Sequence, residues 1–156
     1  MNIIRTGAVT LIGLAALGVG GFAVLGQYSK RGSTPGLVQG ALAPCPDSPN
    51  CVSSEAGTAP SKRVEPFAPG AWDALPGAIA AMGGTVTRQE ADYIAAEFAS
   101  DTFGFVDDLE LRRSEDGVHV RSASRVGHSD GGVNAARVAQ LRERLPDRAQ
   151  ADASSA

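Results

Sequence analysis

Hydrophobic and polar positions divide the chain into an apolar head, a patterned middle and a polar tail. From Thr6 to Gly26 no charged residue occurs over 21 positions, and Gly, Ala, Leu and Val dominate. At about 1.5 Å per helical residue, this length nearly spans a hydrocarbon core of about 30 Å. Tyr28 sits where an interfacial aromatic belongs, and Lys30-Arg31 closes the segment. The pattern predicts a membrane anchor over residues 1–28. A cleaved signal peptide is the alternative, but no clear A-x-A site follows, and signal apolar regions usually run about 7–15 residues. A lipoprotein signal at Cys45 is rejected, because that cysteine lies well past the apolar run and follows Pro44.

The next stretch, residues 29–43, is rich in Gly, Ser, Thr and Pro and reads as a spacer. A globular domain is expected over 44–146, with a flexible tail over 147–156. Within the domain, Lys62–Phe67 reads as a short strand. A helix is expected from Pro69-Gly70 to Ala81-Met82, because Trp72, Leu75, Ile79 and Met82 recur at helical spacing. Pro76 limits or kinks its first turn, and Gly83-Gly84 ends it. Period-two alternation predicts strands over Thr85–Gln89, Tyr93–Ser100, Phe103–Arg113 and Val118–Val126. In the second, Ile94, Ala96 and Phe98 share one face, while Tyr93, Ala95, Glu97 and Ala99 share the other. A last helix starts near Asp130, a good N-cap, and runs to about Leu145 with Val138, Leu141 and Leu145 as its stripe. The expected class is therefore α+β. An N-terminal transmembrane helix precedes a compact antiparallel sheet with helices on one face, in the order β-α-β-β-β-β-α.

Charge narrows the partners. Removing Arg5, Lys30 and Arg31 from the 14 basic residues leaves 11 in the rest of the chain, against all 17 acidic ones, a balance of −6. So acidic a domain excludes a general nucleic-acid binder, since Lys and Arg supply most non-specific affinity for phosphate.

The two cysteines, Cys45 and Cys51, lie in Pro44-Cys45-Pro46-Asp47-Ser48-Pro49-Asn50-Cys51. Proline and Asx residues make a stiff turn that can bring two Cα atoms within disulfide range. A redox pair would want C-x-x-C, and a zinc site would need ligands beyond His119 and His128. A structural disulfide is the preferred reading, with no metal or other cofactor. It implies an oxidising compartment: the periplasmic side of a bacterial inner membrane, or export after signal cleavage.

Asp116-Gly117 is the strongest hairpin signal. Placing it as the two-residue turn pairs Leu111 with Ser122, Leu109 with Ser124, Asp108 with Arg125, Glu110 with Ala123 and Arg112 with Arg121. One face is then mostly apolar, and the other carries Asp108, Glu110, Arg112, Arg121 and Arg125, with His119 near the turn. That charged face is either a solvated surface laced by ion pairs or a binding surface with arginines as bidentate donors. Asp107 falls on the apolar side beside Leu109. It needs either a bulge that re-aims it or a buried partner. Ser129, Asp130 and Asn134 surround a helix N-terminus, where backbone N–H groups bind an anion or are satisfied locally. Phosphate-loop and dinucleotide fingerprints are absent.

Several segments resemble one known family. They are Cys45–Ser54, Ala96-Glu97-Phe98, Phe105–Glu110, Val120–Asp130, Gly132-Val133-Asn134 and Arg137-Val138. In combination they resemble the family catalogued as domain of unknown function 1499 (DUF1499). The resemblance implies membrane-associated or exported proteins, bacterial or plastid, with no established activity. Its motif positions map to Cys45, Cys51, Glu97, Asp108, Arg121, Ser122, Ser124, Arg125, Asp130, Asn134 and Arg137. His128 stands where the family often has tyrosine, which weakens a histidine-dependent mechanism.

The functional expectation is a non-enzymatic binding or envelope accessory module. It would be held to the membrane by its N-terminal helix and contact an envelope protein or a small polar or anionic ligand. Glu97, Asp108, Arg121, Ser122, Ser124, Arg125, His128, Asp130 and Asn134 are the candidate contacts. The alternative is a hydrolase or transferase using Asp108, Ser124 and His128, without the G-x-S-x-G elbow.

Overall fold

The computed structural model describes residues 20–146. The expected anchor over 1–28 falls mostly outside them, as does the tail over 147–156. Residues 20–29 are helical (α1). Among the described residues no helix is long and apolar enough to cross a membrane.

The rest is a mixed α+β domain. A two-residue hairpin, β1 (Leu37–Val38) with β2 (Ala41–Leu42), precedes β3 (Cys51–Ser53). Then come α2 (Leu75–Ala81), β4 (Thr85–Gln89), β5 (Tyr93–Ala99), β6 (Val106–Arg113), β7 (Val118–Ser124) and α3 (Val133–Glu143). Strands β3 to β7 form one antiparallel sheet in the order β3-β7-β6-β5-β4.

The expected first strand is misplaced. Residues Lys62–Phe67 make only isolated bridges, Arg63 with Ser53 and Phe67 with Val118. Pro66 has no N–H to give a ladder, and Pro60 opens a 3-10 turn over Pro60–Lys62. The edge position beside β7 is taken instead by Cys51–Ser53, directly after the cysteine loop. The expected helix from Pro69 is divided. Pro69–Ala74 is 3-10, and α2 begins at Leu75 with Pro76 in its first turn. There the missing N–H costs nothing.

The hairpin register also differs from expectation. Leu111 pairs with Val120, Leu109 with Ser122, Asp108 with Ala123 and Glu110 with Arg121. The turn residues are Glu115 and Asp116, not Asp116 and Gly117. The Ser114 N–H donates to the Gly117 carbonyl at 2.9 Å, and the Ser114 hydroxyl donates to Asp116 at 2.6 Å. Gly117 adopts φ 150, and a Cβ there would lie 2.7 Å from the Phe67 carbonyl oxygen. Glycine is required at that position by close approach as well as by conformation.

The two sheet faces bury different chemistry. On one, Ile94, Ala96, Leu109, Leu111, Val118 and Val120 meet Trp72, Leu75 and Ile79, with Val138 and Leu141 of α3 and Leu145 just beyond it. Both later helices lie on this side, as the alternation predicts. The other face is polar and is not solvated. Glu110 is fully buried, and Asp108 and Arg121 are 4% and 7% exposed. Leu42 packs on Tyr93 and Ala95 there. The Gly36 N–H donates to Glu110 at 2.8 Å, and the Leu42 N–H to Glu55 at 3.0 Å. Residues expected to be a spacer thus form part of the roof over the charged face.

Candidate functional site

Four side-chain networks organise the polar groups among the described residues. The first centres on Glu110. One carboxylate oxygen accepts from the Gly36 N–H and from the Tyr93 hydroxyl, at 2.8 and 2.7 Å. The other accepts from Arg121 Nη1 at 3.0 Å. Burial of the phenol and the adjoining Glu110 carboxylate push the Tyr93 pKa well above the usual tyrosine range. Tyr93 therefore stays a neutral donor.

The second network holds Arg125, and all three of its nitrogens have acceptors. Nε donates to both Asp108 oxygens at 3.0 Å, Nη1 to the Ser29 carbonyl at 3.2 Å, and Nη2 to Glu97 and Asp108 at 2.5 and 2.6 Å. Burial works against the charged guanidinium, but its hydrogen bonds to Asp108 and Glu97 prevail and raise its pKa. Arg125 therefore ties β5, β6 and the end of α1 together.

The third network lies behind β7. The Ser122 hydroxyl donates to Asn134 Oδ1 at 2.7 Å. Asn134 Nδ2 donates to the Asn50 carbonyl, the Ser124 hydroxyl and Asp130. Arg137 donates to Ser122, to Asn134 and, at 2.6 Å, to Asp107. Asp107 thereby finds its buried partner without a bulge. Asp130 accepts from the backbone N–H groups of Gly132 and Asn134, at 3.0 and 2.8 Å. Burial alone would raise its pKa; these N–H donors bring it below the usual aspartate range. Of the two readings of this helix start, an anion site or local satisfaction, the geometry fits the second, with Asp130 serving the N–H groups.

The fourth joins Glu55 to Arg112 through two hydrogen bonds, at 2.8 and 3.1 Å, with His119 Nδ1 3.7 Å from Glu55. The Ser54 hydroxyl lies 3.3 Å from the same His119 nitrogen.

The structure brings Glu97, Asp108 and Arg125 into one cluster and Ser122, Ser124, Asp130 and Asn134 into another. His128 stands apart, exposed in the loop after β7. Among the described residues no hydrogen bond links His128 to Ser124 or Asp108, the arrangement a nucleophile–base pair would need. Cys45 and Cys51 are joined as a disulfide, with Cα atoms 5.7 Å apart. No cluster of three metal-ligating side chains occurs among the described residues.

One position differs from these closed networks. A cleft of about 410 Å³ opens between the end of α1 and the polar sheet face, with Tyr28, Arg31, Ser33, Arg121, Ser124 and Arg125 on its walls. The Arg121 side chain is 9% exposed, and only Nη1 has an acceptor. Its Nε is buried without a hydrogen-bond partner among the described residues. Such a donor carries a penalty of about 1–3 kcal/mol unless something accepts from it. Sequence reasoning included Arg121 but missed Ser29, Gly36, Tyr93, Glu55 and Asn50. Only the Asp107 anomaly hinted at a hidden partner.

A family model described as "Protein of unknown function (DUF1499)" matches residues 41–145. The chain belongs to the DUF1499 family. None of the curated proteins and none of the solved structures matches it. The DUF1499 match takes in the disulfide, all five strands of the main sheet and most of all four networks. It begins at Ala41, so Tyr28, Ser29, Arg31 and Ser33, on the α1 side of the cleft, precede it.

Proposed function

We propose that this DUF1499 chain is a membrane-anchored binding module on the periplasmic side of a bacterial inner membrane. Its cleft between α1 and the polar sheet face takes a small ligand that presents carboxylate or phosphate oxygens. The observation that carries the binding reading is Arg121. Its side chain lines the cleft, its charge and one nitrogen are engaged by Glu110, and its Nε is buried without an acceptor among the described residues. Arg31 adds an exposed positive charge at the mouth, and Ser33 and Ser124 add hydroxyl groups. Arg125 acts differently: with its nitrogens all engaged, it holds the wall in place. The uncharged run Thr6–Gly26 supports the anchor, and the Cys45–Cys51 disulfide supports an oxidising compartment.

The test is thermal unfolding of the purified chain titrated with inorganic phosphate, acetate and glycerol phosphate. A ligand that binds only the folded state raises Tm with concentration. A rise in the wild type that is lost in Arg121→Met supports the cleft. Equal Tm with and without every anion, or an equal rise in the variant, sinks it.

A further inference from the structure

The end of α1 is not joined to the domain by slack chain. Gly26 lies so close to the 100–105 loop that a Cβ there would sit 2.0 Å from the Phe103 carbonyl oxygen. The Ser29 hydroxyl donates to the Gly26 carbonyl at 2.7 Å and accepts from the Val106 N–H at 3.0 Å. Arg125 reaches the Ser29 carbonyl from the end of β7. Phe22 stacks on Phe103 with ring centroids 5.5 Å apart and meets Phe105 edge-on at 6.3 Å. Phe103 and Phe105 are themselves 6.0 Å apart. This aromatic triad is not a core. Phe22 is 53% exposed, and its neighbours Val24 and Tyr28 are 69% and 66% exposed.

Apolar side chains so exposed need a cover, and the chain indicates which. Phe22 and Val24 belong to the uncharged run that ends at Gly26. Phe22 is four residues before Gly26, about 6 Å deeper along a helix. That is close to the thickness of one interfacial layer, since the headgroup regions add about 10–15 Å in total to the hydrocarbon core. The Phe103 and Phe105 rings reach Phe22, while the Phe103 carbonyl lies at Gly26 and Gly104 lies beside the Lys30 ammonium. Lys30 and Arg31, both exposed, then stand among the headgroup phosphates. Asp101, also exposed, is two residues before Phe103 and stays at the headgroup level as the loop dips.

We propose that the folded domain sits directly on the bilayer, with the Phe103-Gly104-Phe105 loop inserted beside Phe22 in the interfacial layer. The inference rests on reading the N-terminal segment as a membrane anchor. It replaces a domain hanging from a spacer with one whose cleft, lined by Tyr28 and Arg31, opens at the membrane surface.

The experiment uses the full chain in phosphatidylcholine–phosphatidylglycerol vesicles and the Phe103→Trp variant. Trp72, the one native tryptophan, is buried and supplies a background measured on the wild type. Flotation with vesicles reports anchoring. The added emission of the variant reports the loop. It is expected to be blue-shifted, quenched by lipids brominated near the headgroup end of the acyl chain, and resistant to aqueous iodide. A chain that floats but whose added emission is quenched by iodide and not by bromolipid overturns the docking and leaves the anchor standing. A chain that does not float overturns both.

Discussion

Glu110 and Arg121 face each other across β6 and β7 and form a 3.0 Å ion pair beneath a roof of N-terminal chain. The pair is buried at both ends, and its carboxylate also accepts from Gly36 and Tyr93. Removing one member strands the other charge in the interior. Glu110→Ala is expected to cost about 3–5 kcal/mol in urea unfolding. Replacing both residues, as Glu110→Met with Arg121→Met, should cost less than the two single changes together. An additive double-mutant cycle would show that the pair is not coupled.

Asp107 and Arg137 make a second pair, on the opposite side of the sheet. Arg137 lies 4.6 Å over the Phe98 ring while its Nη2 holds Asp107 at 2.6 Å. It also donates to Ser122 and Asn134. Arg137→Met keeps much of the packing but leaves these acceptors unserved, so it should destabilise by about 1–3 kcal/mol. Asp107→Asn keeps an acceptor and should cost less. If the asparagine variant is the weaker one, Asp107 carries more of the fold than its partner does.

Much of this fold was legible in the sequence, and the part that was not has definable causes. Strand Thr85–Gln89 and the faces of Tyr93–Ala99 follow from alternation, because successive side chains of a strand point to opposite faces. The Leu75, Ile79, Val138 and Leu141 stripes follow from helical spacing. Hairpin register was beyond reach for a specific reason. A one-residue slip would exchange the faces, but the two-residue difference leaves Leu109, Leu111 and Val120 on the same face in either pairing. The Ser114 turn hydrogen bonds separate the two, as does the pairing of Arg121 with Glu110 in place of Arg112. The charged face looked open because its cover is remote in sequence: Gly36 and Glu110 are 74 positions apart. A pattern read along one strand carries no information about such a cover. Asp107 was the exception, since a carboxylate among leucines demands a partner even when that partner is unseen.

The disulfide closes a short loop, with Cys51 six positions after Cys45. Loop-closure entropy for so few residues is worth about 2 kcal/mol. The bridge also fixes the entry to β3, where Cys51 pairs with Ala123 and the Asn50 carbonyl accepts from Asn134. Reduction, or Cys45→Ser with Cys51→Ser, should therefore lower stability by roughly that amount and expose the β7 edge to faster amide exchange. A loss of stability with unchanged exchange at Ala123 and Ser124 would confine the effect to the unfolded chain.

Acid should weaken the domain through Glu55. Burial of this carboxyl raises its pKa, but hydrogen bonds from Arg112 and Leu42, with the charges of His119 and Arg112, bring it below the ordinary glutamate range. A folded-state pKa below the unfolded one means that the unfolded chain binds the proton first. The stabilisation is therefore complete above the unfolded glutamate value of about 4.3 and is lost as pH falls through the folded value. Asp130, whose carboxylate is held by N–H groups at the start of α3, adds the same sign. Urea unfolding from pH 7 down to pH 3 should show wild-type stability falling on the acid side. Glu55→Gln removes the charge that Arg112 holds, so it should be less stable at pH 7 and have a flatter acid limb. Below the folded value Glu55 is itself neutral, so the two curves should converge there. Parallel curves across the whole range would mean that the Glu55–Arg112 contact contributes no pH-dependent stability.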